Sequence, residues 1–256
     1  MKKTSRLIIW VAAGIMALCA AACQKDDTLR YNNATMGNIV NGTFVSDQGN
    51  TLNVVDQTCA GKLDTLKRAF IVCDVLNTTE GVSNGYDVRL NYISHVLTKE
   101  VLPSSELKDS LANDPIIISD LWISGGYINM YLIIPVNKDS HVKHMINLVH
   151  DQEGGKSGEY SFLLRHDASG EILKEDNISN GMVLAGAYVS FPVSSLIKEN
   201  TATINVKWNS YIVYPETANV VSHKTEEYSV SRSYQKGGFE HAPLNAPKGK
   251  TQLAIR

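Results

Sequence analysis

Cysteines, histidines and large aromatics are the side chains of this sequence with most capacity for chemistry, and their spacing limits what they do together. Beyond residue 23 the thiols are Cys59 and Cys73. In an oxidising compartment such a pair can bond, and closing a loop of this length contributes ~3 kcal/mol. Cys73 also lies inside the apolar run Ala69–Leu76, where a free thiol behaves as a small buried hydrophobe. A disulfide and two free thiols both stay open. The chain has seven histidines. His141 and His144 would share one face of a helix, but on a strand they point to opposite sides. His144 and His150 on one strand face would stand ~20 Å apart. No metal and no cofactor is expected. Gly155-Lys156-Ser157 and Gly249-Lys250-Thr251 mimic the end of a phosphate-binding loop, but His150 and Leu244 occupy the place of its first glycine. There is no G-x-S-x-G turn, and the carboxylates are scattered. No catalytic residue is assigned, and the chain reads as a non-enzyme. Tyr86, Tyr92, Trp122 and Trp208 could stack on sugar rings or bases, although core positions are the commoner use of such residues.

Cys23 is different. Lys2, Lys3 and Arg6 precede an uncharged apolar run from Leu7 to Ala22, which ends in Ala20-Ala21-Ala22 before the cysteine. This is a signal-peptide layout, too short to span a bilayer comfortably. Small residues before a cysteine resemble a bacterial lipobox, so residues 1–22 are expected to be removed and Cys23 to carry diacylglycerol. At ~0.8 kcal/mol per buried CH₂, two or three acyl chains anchor a protein without any spanning helix. Gln24-Lys25-Asp26-Asp27 follows, resembling a charged signal that exports lipoproteins to the cell surface. The chain is thus expected in the outer membrane, lipid-anchored and surface-facing, with the membrane as one partner.

The bulk composition agrees with a folded, exported body. Apolar residues make up 43% of 256 and charged residues 20%, which is ordinary for globular proteins. Removing the three positive charges of the signal segment moves the formal net charge from −2 to −5, so no nucleic-acid partner is expected. Strand signals dominate from Thr35 onward. Asp47-Gln48-Gly49-Asn50 turns between Phe44-Val45 and Leu52–Val55. Ala69–Leu76 is β-rich. In Tyr86–Tyr92 the alternation is strict, with Tyr86, Val88, Leu90 and Tyr92 facing one way. Ser104–Leu111 predicts a short helix ended by Asn113-Asp114-Pro115. Strands then resume at Leu121–Ile123, Tyr127–Pro135, Glu159–Arg165, Val183–Phe191 and Ile204–Tyr214, with a turn or bulge at Gly125-Gly126. His141–His150 has helical spacing in a β context, and Glu226–Tyr234 alternates weakly as a last strand.

Lys67–Val72, Tyr86–Lys99, Asp114–Ile116, Leu121–Asn129, His144–Val149 and Leu163–Asp167 form an ordered set of blocks that resembles the NigD-like lipoproteins. The resemblance implies an all-β chain, an N-terminal OB-like barrel followed by a C-terminal β-sandwich, and it makes His141–His150 a strand. The organisation expected is a signal peptide at 1–22, a tether at 23–34, the OB-like domain at 35–100 and a linker with a short helix at 101–115. The sandwich follows at 116–235 and a tail at 236–256. The family implies a binding or accessory role, with bacteriocin immunity suggested by genetic association. The partner expected is an exported protein or a glycan, the latter as a carbohydrate-binding module of a surface glycan system. Asp27-Thr28-Leu29, Asp64-Thr65-Leu66 and Asp109-Ser110-Leu111 resemble a short O-glycosylation pattern.

Overall fold

A computed structural model describes residues 33–103, 110–151, 156–174, 182–213 and 221–238. The described residues fold entirely as β-structure in twelve strands. The expected helix at Ser104–Leu111 falls largely outside them, as do Cys23, residues 239–256 and most of the tether expected at 23–34, whose last two residues, Asn33 and Ala34, instead open the first strand.

The first five strands are β1 (Asn33–Val40), β2 (Thr43–Ser46), β3 (Thr51–Gln57), β4 (Arg68–Thr78) and β5 (Gly85–Thr98). They pair in the order β3-β2-β1-β4-β5, and β3 also pairs with β5, so the sheet closes into a barrel. Only the β3–β5 seam is parallel. Phe44, Ile71, Cys73, Val88 and Leu90 fill its interior. The hairpin at Asp47–Asn50 forms as the sequence predicts, with Gly49 at φ 82°.

The sandwich has β6 (Ile117–Ser124), β7 (Tyr127–Asn137), β8 (Met145–Asp151), β9 (Glu159–Asp167), β10 (Met182–Pro192), β11 (Thr201–Val213) and β12 (Val221–Gln235). One layer runs β10-β7-β6 and the other β12-β11-β9-β8. Between them lie Ile128, Met130, Leu132, Phe162, Phe191 and Ile204, all almost without exposure. The segment around His144 is strand-like, as the family resemblance implies. The last strand is longer than the weak alternation at Glu226–Tyr234 indicates.

Strand β5 belongs to both bodies. After leaving the barrel, Val96–Thr98 pairs in parallel with Tyr188–Ser190 of β10. The barrel and one sandwich layer are therefore a single eight-stranded sheet. A bulge makes this possible. Opposite β4, Val72 pairs with Tyr92 but Cys73 pairs with Leu90, leaving Asn91 as the extra residue. An inserted residue reverses which face each later side chain occupies. The strict alternation expected through Tyr92 is thereby corrected. Val88, Leu90 and Ile93 face the barrel core, whereas Tyr92 packs at the junction with Met36, Phe70, Trp122, Tyr131 and Tyr188. There Phe70 stacks on Tyr188 at 4.3 Å, and Trp122 meets Tyr188 edge-on at 6.4 Å.

Candidate functional site

Beside this aromatic cluster lies a buried polar network. Arg68 opens β4 and is 1% exposed. Its Nη1 and Nη2 donate to the two Asp47 carboxylate oxygens at 2.8 and 2.7 Å. Nη1 also donates to Asn38 Oδ1, Nη2 to Asn129 Oδ1 and Nε to Ser190 Oγ. All five guanidinium hydrogens therefore have acceptors, which a buried cation requires. Ser124 donates to Asp47 at 2.6 Å, and the Tyr127 ring lies 4.0 Å from the guanidinium carbon. Asn38, Asp47 and Arg68 come from the barrel; Ser124, Asn129 and Ser190 come from the sandwich. Gly125 and Gly126 form the predicted turn, with φ of 59° and 81°. A side chain at Gly125 would also collide with the Asp47 carboxylate.

A second buried chain crosses the sandwich. His166 Nδ1–H donates to the Pro115 carbonyl at 3.1 Å, leaving Nε2 to accept from His144 Nδ1–H at 2.9 Å. His144 Nε2 in turn lies 3.0 Å from Glu171 Oε2. Because the Pro115 carbonyl only accepts, the His166 proton at that contact sits on Nδ1. Burial first, then the His144 charge, pushes His166 down to about 4. For Glu171 burial pushes upward, but hydrogen bonds from Ser140, His144 and the Asn137 backbone together hold its carboxyl below the usual range. The loop at 168–174 is further pinned by Ala168 N–H to Asp114 and Leu173 N–H to the Tyr211 hydroxyl.

The third feature is open. A cleft of about 550 Å³ sits where the end of β8, the start of β9 and the loop at 195–199 meet. His150 and Tyr160 line it, their rings stacked with centroids 5.8 Å apart. Tyr160 donates its hydroxyl hydrogen to Glu199 at 2.5 Å and accepts from the Lys198 amide at 3.2 Å. Burial, opposed by Asp151, lowers the pKa of His150, favouring a neutral ring.

The residues singled out in the sequence are dispersed. The Cys59–Cys73 bond is not formed: both thiols are free, Cys73 buried in the barrel and Cys59 half-buried. Burial, with a smaller effect from Asp74, pushes the Cys73 thiol up to about 12. Trp122 and Trp208 are core residues, and Tyr86 packs partly against the barrel interior. Thr65 of the second acidic-hydroxyl pattern is exposed. His144 does not meet His141 or His150 but a histidine 22 residues away, a partner that local spacing never tests. Asp47 reads in sequence as a turn residue and Arg68 as a flanking charge. Neither shows in sequence as half of a buried pair.

The family model of the NigD-like C-terminal beta sandwich domain matches residues 99–221. Among solved structures, a protein of unknown function from Bacteroides vulgatus aligns with TM-score 0.57 and 22% identity, over 83% of this chain and 97% of that one. A "Putative lipoprotein" from Bacteroides fragilis aligns with TM-score 0.52 and 12% identity, over 77% and 96%. A NigD-like immunity protein from Bacteroides caccae aligns with TM-score 0.49 and 19% identity, over 77% and 95%. The first two establish that the barrel–sandwich fold is shared. No curated protein matches the sequence.

Proposed function

We propose that the chain, whose residues 99–221 match the NigD-like C-terminal beta sandwich domain, is a NigD-like cell-envelope lipoprotein that works by recognition rather than catalysis. Lipid on Cys23 holds it to the outer membrane, facing outward, and the polar segment 24–32 tethers the folded body. Its partner is an exported protein or a glycan, and bacteriocin immunity is one specific form of such recognition. The fold neighbour named as a lipoprotein is in keeping with the anchor.

One observation carries the reading: how the buried ionisable groups are used. Asp47, Arg68, His144 and His166 are all bonded within the body. Charge inside the molecule stiffens it, while a polar concavity opens at the surface. A rigid body loses less entropy on gripping a partner.

Replacing Cys23 by Ser and fractionating cells tests the anchor. The unaltered chain should sediment with membranes and the Cys23→Ser product should leave them; a variant that still sediments overturns the placement. Cross-linking on intact cells tests recognition. A discrete adduct to an exported protein or glycan supports it, and a chain recovered without any adduct counts against it.

A further inference from the structure

The open end of the sandwich has the chemistry of a carbohydrate site. We propose that the cleft between the end of β8, the start of β9 and the loop at 195–199 binds a neutral oligosaccharide against the stacked His150–Tyr160 wall. This rests on the recognition reading above and names its ligand class.

Three features of the cleft point to a sugar. The first is the wall. The Tyr160 ring lines the cleft and is backed by His150, which stacks in turn on buried Phe162; an aromatic ring held in this way suits the C–H face of a pyranose, and Leu196 adds to the apolar lining. The Tyr160 ring is also fixed in advance, because its hydroxyl is held by Glu199 on one side and the Lys198 amide on the other. Pre-set orientation removes part of the ordering cost of binding. The second is the rim. Lys156 and Ser157 offer donors, and Glu159 and Glu199 offer acceptors. Each sugar hydroxyl donates and accepts at once, so it can use both. A strongly charged ligand would meet repulsion as well as attraction. The third is size and shape. A volume of about 550 Å³ lies within the ~300–1,000 Å³ typical of small-ligand clefts, and the open mouth lets a longer glycan run past. The aromatics that a sequence search would choose, Trp122 and Trp208, are buried at 3% and 5% exposure and do not supply such a surface.

The test is an amide-resolved NMR titration of the full-length protein in detergent with neutral gluco-, manno-, xylo- and galacto-oligosaccharides. At least one series should shift the amides of residues 150–151, 156–160 and 195–199. Ser195→Leu, which fills the exposed rim without touching the core, should weaken that binding about tenfold or more. Tyr160→Phe keeps the wall but frees the ring, and should weaken it less. A thermal transition unchanged in Ser195→Leu shows that folding is not the cause. Shifts confined to other residues, binding untouched by Ser195→Leu, or no response to any of the four series overturns the assignment. Binding only to a polyanion or only to a protein partner also overturns it. A cross-linked protein adduct would then still leave the recognition reading standing, whereas loss of both would remove both.

Discussion

At the scale of single residues, the internal ions dominate. Asp47 has a 2% exposed side chain against a 1% exposed Arg68. Removing one partner leaves an uncompensated buried charge, at a cost of about 3–5 kcal/mol. Asp47→Ala should therefore lower the unfolding free energy from urea denaturation by about that amount, and a loss no larger than a surface mutation gives would remove the network from the account. His166 makes a pH prediction. Its folded value of about 4 lies below the ordinary 6.5, so as pH falls the unfolded chain takes up the proton first. The stabilisation is full above pH ~6.5 and is lost on the way to pH 4, about 3 kcal/mol in all. Glu171, held low in the folded state, loses its contribution only at lower pH. Urea midpoints measured from pH 7 to pH 4.5 should fall, and His166→Gln should flatten the slope. An undiminished slope in that variant would show that another group is responsible. None of this was legible in sequence. Asp47 and Arg68 sit beside turn residues and a lysine, as surface charges do, and their burial depends on two bodies meeting.

At the scale of elements, most strands were legible and their facing was not; β8, within the helically spaced His141–His150, was legible only through the family resemblance. The alternation at Tyr86–Tyr92 locates β5 correctly, but the bulge at Asn91 sends Tyr92 to the other face. Tyrosine suits either apolar cluster, so the sequence carries no mark of the switch. The hairpin at Asp47–Asn50 and the Gly125-Gly126 turn were readable because glycines there take positive φ. Gly37 was not singled out, although β1 depends on it. A Cβ on Gly37 would strike the Val45 carbonyl and the Phe44 ring. Backbone cannot yield as a flexible side-chain end does, so Gly37→Ala should cost about 1–3 kcal/mol. Thermal unfolding checks this, and a variant as stable as the parent would mean that β1 and β2 separate freely.

At the scale of the whole molecule, the expected pair of all-β bodies is present, yet they are not beads on a string. β5 borders both, the aromatic cluster around Tyr188 draws on both, and Arg68 bonds to both. Unfolding should then be one transition, with tryptophan fluorescence and far-ultraviolet circular dichroism giving coincident curves in urea. Two separated transitions would show that the junction does not couple the bodies. The division of the sequence into an OB-like part and a sandwich captured the two cores. It could not capture a strand whose two halves serve different partners, because neither half differs in composition.

That shared strand has a mechanical consequence. A protein moored by lipid at one end is tugged whenever something it holds drifts away. Where two modules meet through a loose linker, the pull is absorbed as a swing. Here the load passes from sandwich to barrel through side-by-side backbone hydrogen bonds loaded in shear. On the proposed mooring at Cys23, the body would turn under such a pull as one piece.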